Sequence, residues 1–267
     1  MIKRLSWILV LILLLASPAL AGQLVINVSA EATAKKDRVL VKLVVSNRGD
    51  EAAINIQAEP LMPSGETSGL VEILDAGGQV EMSLSLEAAG EQPGRHLAVI
   101  RVRFQDLNEY PFSALAHTYY HRLTDQPSPI LLKTDQPGPF KLAGLGKLKI
   151  VLANPEPEPA SVILRVFTPL EMSAHPEERK LKLPGRGEMT AVIRLSNFSG
   201  LRGAGYPVLI SAEQMAADRH TVKVLAVMVS LVGRPNFFNR TLKYWLAAIG
   251  VLVALLIWSQ VRRRRRS

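Results

Sequence analysis

The segment VKLVVSNRGDEAAINI at 41–56 returns as LKIVLANPEPEPASVI at 148–163, with Asn47 falling on Asn154. At the same offset Gly78 meets Gly185, Glu81 meets Glu188 and Met82 meets Met189. With two further residues added, Gly94 meets Gly203, Val99 meets Val208 and Ile100 meets Leu209. A chain that repeats itself in this way is constrained to fold as two copies of one unit. What repeats is strand-like. Val80 to Leu86 has an apolar residue at every second position, the mark of a strand with one buried and one wet face.

Segments of the same kind are Leu24–Ser29, Arg38–Ser46, Ala53–Gln57, His96–Phe104, Phe112–Tyr120, Lys147–Ala153, Ser161–Phe167, Arg179–Leu183, Thr190–Ser196, Tyr206–Glu213 and Thr221–Val232. Turn-forming Gly, Pro, Asn and Asp lie between them, which predicts antiparallel sandwiches of immunoglobulin size. The expected order is a first sandwich over 22–124, a proline-containing linker over 125–129 and a second sandwich over 130–233.

The two ends read differently. Lys3 and Arg4, the apolar run Leu5–Ala16 and the small-residue finish at Ala19-Leu20-Ala21 predict a cleaved signal peptide over 1–21. After a juxtamembrane stretch at 234–241, the segment 242–261 is apolar and about long enough for one transmembrane helix. Tyr244, Trp245 and Trp258 stand where rings favour the headgroup region, and Arg262, Arg263, Arg264, Arg265 and Arg266 form a block that would stay cytoplasmic over 262–267. These features predict a type I, single-pass protein of the inner (plasma) membrane, with its repeat in the periplasm or outside the cell. They also absorb the formal net charge of +9. Without the terminal bases the rest is close to neutral, so a nucleic-acid partner is not expected.

Val41–Gly49 and Leu148–Pro155, followed by Gly78–Leu86 and Gly185–Leu195, resemble the tandem immunoglobulin-like modules of the CARDB/NEW3 type. The second copy departs from that pattern, with Pro155 in place of Arg48 and Glu156 in place of Gly49. The resemblance implies adhesion, spacer or assembly domains without an active site. Asn154-Pro155 near the start of a second domain is similar to the periplasmic pilus chaperones, which have two immunoglobulin-like domains. That resemblance implies a chaperone-like factor for secreted subunits. It is the weaker of the two, because Leu24–Ser29 has no Arg and Phe112–Tyr120 does not alternate cleanly.

Chemistry is sparse. With no cysteine, disulfides and thiolate metal sites are excluded. His117 and His121 share one face of a strand but stand ~13 Å apart there, too far for one ion. The acids Glu156, Glu158, Glu177 and Glu178 sit in proline-rich surroundings and read as solvated loops. No nucleophile elbow, P-loop or H-E-x-x-H pattern occurs. The expectation is an all-β protein, two tandem immunoglobulin-like β-sandwiches followed by one transmembrane helix, that is not an enzyme and needs no cofactor or metal. It would bind or scaffold an envelope protein, with Tyr110, Phe112, Tyr119 and Tyr120 as a possible partner surface. The alternatives are a periplasmic chaperone-like factor and a carbohydrate-binding accessory.

Overall fold

The computed structural model describes residues 24–35, 37–87, 92–215, 219–233 and 244–245. Their regular structure is β, with helix assigned only at Tyr244 and Trp245. The chain divides into two compact units: Met1–Ser128 with Gln214–Val222, and Pro129–Glu213 with Lys223–Ser267.

In the first unit, strands β1 (Ile26–Lys35), β2 (Arg38–Asn47) and β5 (Gln79–Glu87) form one sheet in the order β1-β2-β5. Strands β3 (Ala53–Met62), β4 (Val71–Leu74), β6 (Gly94–Gln105) and β7 (Pro111–Arg122) form another in the order β4-β3-β6-β7. The sheets share one core. Val39, Val41, Leu43 and Val45 of β2, with Leu84 and Leu86 of β5, pack with Ile56, Ala58, Ile100 and Val102 of the other sheet. Burial of each larger side chain contributes roughly 1.5–3 kcal/mol. The alternation that predicted these strands is the alternation that fills this core.

The second unit contains β8 (Leu131–Thr134), β9 (Phe140–Leu142), β10 (Leu145–Asn154), β11 (Ala160–Phe167), β12 (Met172–His175), β13 (Glu178–Leu183) and β14 (Gly187–Asn197), with most of β15 (Gly205–Met215) and β16 (His220–Leu231). One sheet runs β12-β14-β10-β8; in the other, β13-β11-β15-β16 lie in order and β9 pairs β16. Their core joins Leu148, Ile150 and Leu152 of β10 to Val162 and Leu164 of β11 and Val208 and Ile210 of β15.

The repeat is most visible at the two asparagines. Asn47 and Asn154 end β2 and β10, and both are buried. The Asn47 side-chain amide donates to the Glu51 and Leu74 carbonyls, and its oxygen accepts from Gly49 N–H. Asn154 donates to Glu158 and Pro184 and accepts from Glu156. A buried amide with its donors and acceptor engaged avoids the desolvation cost of an unpaired one. The same device thus fixes the turn after β2 and the turn after β10.

Two sequence expectations are corrected. The pairing of Val99 with Val208 and of Ile100 with Leu209 is one residue out of step. Ala98, Ile100 and Val102 face the first core and Val208, Ile210 and Ala212 the second, so Ile100 answers to Ile210. A shift of one residue exchanges the two faces of a strand, and only the core decides which is inward.

The second correction concerns the membrane. Among the described residues no helix is long and apolar enough to cross one, and a span requires about 20 residues of continuous helix. The transmembrane helix expected at 242–261, and the type I plasma-membrane placement built on it, are not upheld among the described residues; of that segment only Tyr244 and Trp245 are described. Of its anchor residues, Tyr244 and Trp245 are described and exposed. Trp258, Arg262, Arg263, Arg264, Arg265, Arg266 and the signal segment 1–21 lie outside the described residues.

Candidate functional site: the β1 edge of the first unit

Strand β1 pairs with β2 along its whole length, from Ile26 opposite Asn47 to Lys35 opposite Arg38. It stands at the end of its sheet. Its five inward residues, Ile26, Val28, Ala30, Ala32 and Ala34, touch the core but are all only partly buried. On β2, one strand further in, Val39, Val41, Leu43 and Val45 have 0–1% of their surface exposed. The three alanines cause part of this difference, because a methyl group covers less of the core than a branched side chain.

Beside β1 lies β7 of the opposite sheet, with no ladder between the two among the described residues. Phe112 and Ala114 of β7 are partly buried against the same core. The result is an apolar seam between two strand edges. The outer face next to it carries a shallow groove of about 300 Å³ in which Glu31, Thr33, Lys35, Lys42 and Ser83 stand among Leu40, Val41 and Leu84. In the second unit β8 pairs β10 on the side away from β14, as β1 pairs β2 on the side away from β5, but β8 has only four residues. The long edge is peculiar to the first unit.

The four aromatic residues expected to form one partner surface are separated. Tyr120 has 1% of its surface exposed and belongs to the core, so it is removed from any surface. Its ring stacks on His96, which stacks on His220 at 4.3 Å; the ring Nδ1–H of His220 donates to the Arg95 carbonyl. Phe112 faces the same core and stacks on Phe104. Tyr110, 39% exposed, lies in the turn before β7 and leans on Phe112. Tyr119 points to the other face of β7, under the Arg95 guanidinium. Period-two alternation makes neighbours such as Tyr119 and Tyr120 face opposite ways.

The electrostatics of this unit are those of a fixed scaffold. Arg95 makes a two-pronged ion pair with Asp125. The hydrogen bond from Arg95 holds the Asp125 carboxyl below the usual carboxylate range, and the same bond raises Arg95. Burial pushes His117 below its ordinary value of 6.5. Among the described residues no group of three or more His, Cys, Asp or Glu is placed to hold a metal ion.

The seam residues Ala30, Ala32 and Ala34 were missed by the sequence reading, which ended the first strand at Ser29. The signal was present: Ala-Glu-Ala-Thr-Ala-Lys alternates with period two. Alanine, glutamate and lysine are weak strand formers, and pairing with β2 overrides that preference.

No protein-family model matches the chain, the CARDB/NEW3 modules included, and no curated protein matches it. Solved structures similar to it include trypsin-activated α2-macroglobulin from Escherichia coli, at 10% identity and a TM-score of 0.32, over 77% of this chain and 18% of that one. Two chaperones are also similar. The periplasmic chaperone SfaE is 13% identical over 79% of this chain and 100% of its own, with a TM-score of 0.31. The YadV chaperone is 12% identical over 76% and 99%, with a TM-score of 0.31. At these scores the likenesses carry no weight for function.

Proposed function

We propose that the chain is a non-catalytic, periplasmic chaperone-like factor that binds other protein subunits through the β1 edge of its first unit. In this reading each unit is an immunoglobulin-like sandwich, consistent with the sheet order β1-β2-β5 against β4-β3-β6-β7. The observation that carries the proposal is that all five inward side chains of a ten-residue edge strand are only partly buried. Because β7 lies close along that edge, a partner strand would part β7 from β1 to reach the β1 backbone groups, and the seam offers apolar surface to that strand's side chains. Strand addition supplies both in one event. A carbohydrate platform is disfavoured, because the outer face beside β1 presents Thr33, Lys35, Lys42 and Ser83 in place of aromatic rings.

The test is site-specific photocrosslinking in cells, with the photoreactive residue at Thr33 on β1 and, as a control, at Lys147 on the internal strand β10. Adducts with secreted protein subunits at Thr33 and none at Lys147 are expected. Absence of adducts at Thr33, or equal labelling at both positions, would overturn the proposal.

A further inference from the structure

Four turns close the end of the second unit where β10 begins and β14 and β16 finish, and backbone hydrogen bonds tie them together. Asn197 N–H donates to the Gly144 carbonyl, Phe198 N–H to the Glu171 carbonyl and Val232 N–H to the Leu142 carbonyl. Gly203 N–H donates to the Leu231 carbonyl, and Leu231 N–H to that of Ala204. Inside the longest turn the Asn197 side-chain oxygen accepts from Gly200 N–H, and the Tyr206 hydroxyl accepts from Leu201 N–H. Residues 142–145, 169–172, 197–204 and 231–233 are thus held together at one end.

On this frame Leu145 is 74% exposed, Phe198 67%, Leu201 49% and Val232 40%. Leu145 pairs with Ser196, two residues from Phe198. Arg202 lies beside Gly233, since a Cβ there would stand 3.5 Å from Arg202 Cδ, and this brings the 197–204 turn next to Val232. Bases surround the four apolar side chains: Arg202 itself, Lys141 on β9, and Lys147 and Arg194, which face each other across β10 and β14. None of these four takes part in an ion pair among the described residues. Glu171 is the single acid of the four turns, and it is buried. Like charges set opposite each other destabilise a ladder, and an anion over Lys147 and Arg194 removes that repulsion. Apolar tips inside a basic rim suit a phospholipid surface, because its fluid interface takes in protruding side chains without a matching shape and its anionic headgroups complement the rim. A second copy of this chain would instead bring bases against bases.

We infer that this end of the second unit rests on an anionic phospholipid surface. Leu145, Phe198, Leu201 and Val232 enter the boundary between headgroups and acyl chains, and Lys141, Lys147, Arg194 and Arg202 lie against the headgroups. The contact is interfacial, made by turns, and requires no spanning helix. It belongs to the second unit and does not depend on the β1 edge of the first.

The chain has no cysteine, so Leu201→Cys and, as a control on the edge strand β13, Lys182→Cys can each carry one environment-sensitive fluorophore in the full-length protein. Each is mixed with vesicles of phosphatidylglycerol and phosphatidylcholine in equal parts, or of phosphatidylcholine alone, containing a nitroxide lipid that quenches the fluorophore on contact. Quenching at 201 by the anionic vesicles is expected to be at least ~fivefold stronger than at 182 or with phosphatidylcholine alone, and to weaken as salt is added. Leu145→Ser with Phe198→Ser, and separately Lys147→Gln with Arg194→Gln, should each raise the lipid concentration needed for half-maximal quenching by about tenfold. All four positions are exposed, and an unchanged melting temperature would show that the variants fold. Absence of quenching at 201, as for a surface that takes an acidic protein instead, would overturn the inference. So would equal quenching at 201 and 182, equal quenching by the two kinds of vesicle, or an unaltered response in both folded double variants. An unfolded double variant would be replaced by Phe198→Ser or Arg194→Gln alone, judged by the same criterion.

Discussion

His117 shows how burial converts position into pH dependence. It lies on β7 opposite Val99, and burial disfavours its charged form, holding its pKa below 6.5 in the folded chain. The unfolded chain therefore binds the proton more readily in the window just below 6.5. The contribution of this residue to stability is complete above 6.5 and declines as pH falls through that window. We expect His117→Asn to flatten the pH dependence of urea unfolding below pH 6.5, with wild type losing stability more steeply; identical profiles would contradict it. Asp125 acts lower on the scale. Its carboxylate is held down by Arg95, so its contribution persists through neutral pH and disappears only in acid, below the normal carboxylate range. Gly94 is fixed by geometry alone: at φ +134 a Cβ there would lie 2.0 Å from the His220 carbonyl oxygen.

Strand β3 shows what happens when an element leaves its period. Ala53, Ile56 and Ala58 all face the core, although 53 and 56 have opposite parity. The reason is a bulge: the register with β6 shifts between Ile54 and Gln57, and Asn55 has φ 55. The extra residue turns the strand so that Ile56 points inward. Asn55→Val should cost about 1–2 kcal/mol, since a β-branched residue tolerates that conformation poorly, while Asn55→Gly should stay within about 0.5 kcal/mol. Equilibrium denaturation of both variants checks this. The other elements that escaped the sequence reading, β4, β8, β9 and β12, have three or four residues each. A pattern of period two is hardly detectable over so short a run, and such strands exist because a longer neighbour offers them a ladder.

At the scale of the molecule, one unit repeated twice has been given different edges. The second unit covers β14 with β12 over Arg194–Asn197, and its β8 is short; the first unit leaves a ten-residue β1 beside β7. The proposed work is therefore assigned to the first unit. Ala32→Arg would place a long charged side chain in the seam. It is expected to reduce Thr33 crosslinking by about tenfold with the melting temperature retained. Undiminished crosslinking in the folded variant would contradict the assignment of the seam as the contact surface.

The sequence by itself determined that the described chain is all β, and it located the longer strands and the repeat at Asn47 and Asn154, because alternation and turn residues act over neighbouring positions. Tertiary structure decided which face of β6 answers to which face of β15, that Tyr120 is core while Tyr110 is surface, and that the alanines of β1 line an incompletely covered seam. Those outcomes depend on which strand lies beside which, and side chains distant in sequence compete for one core.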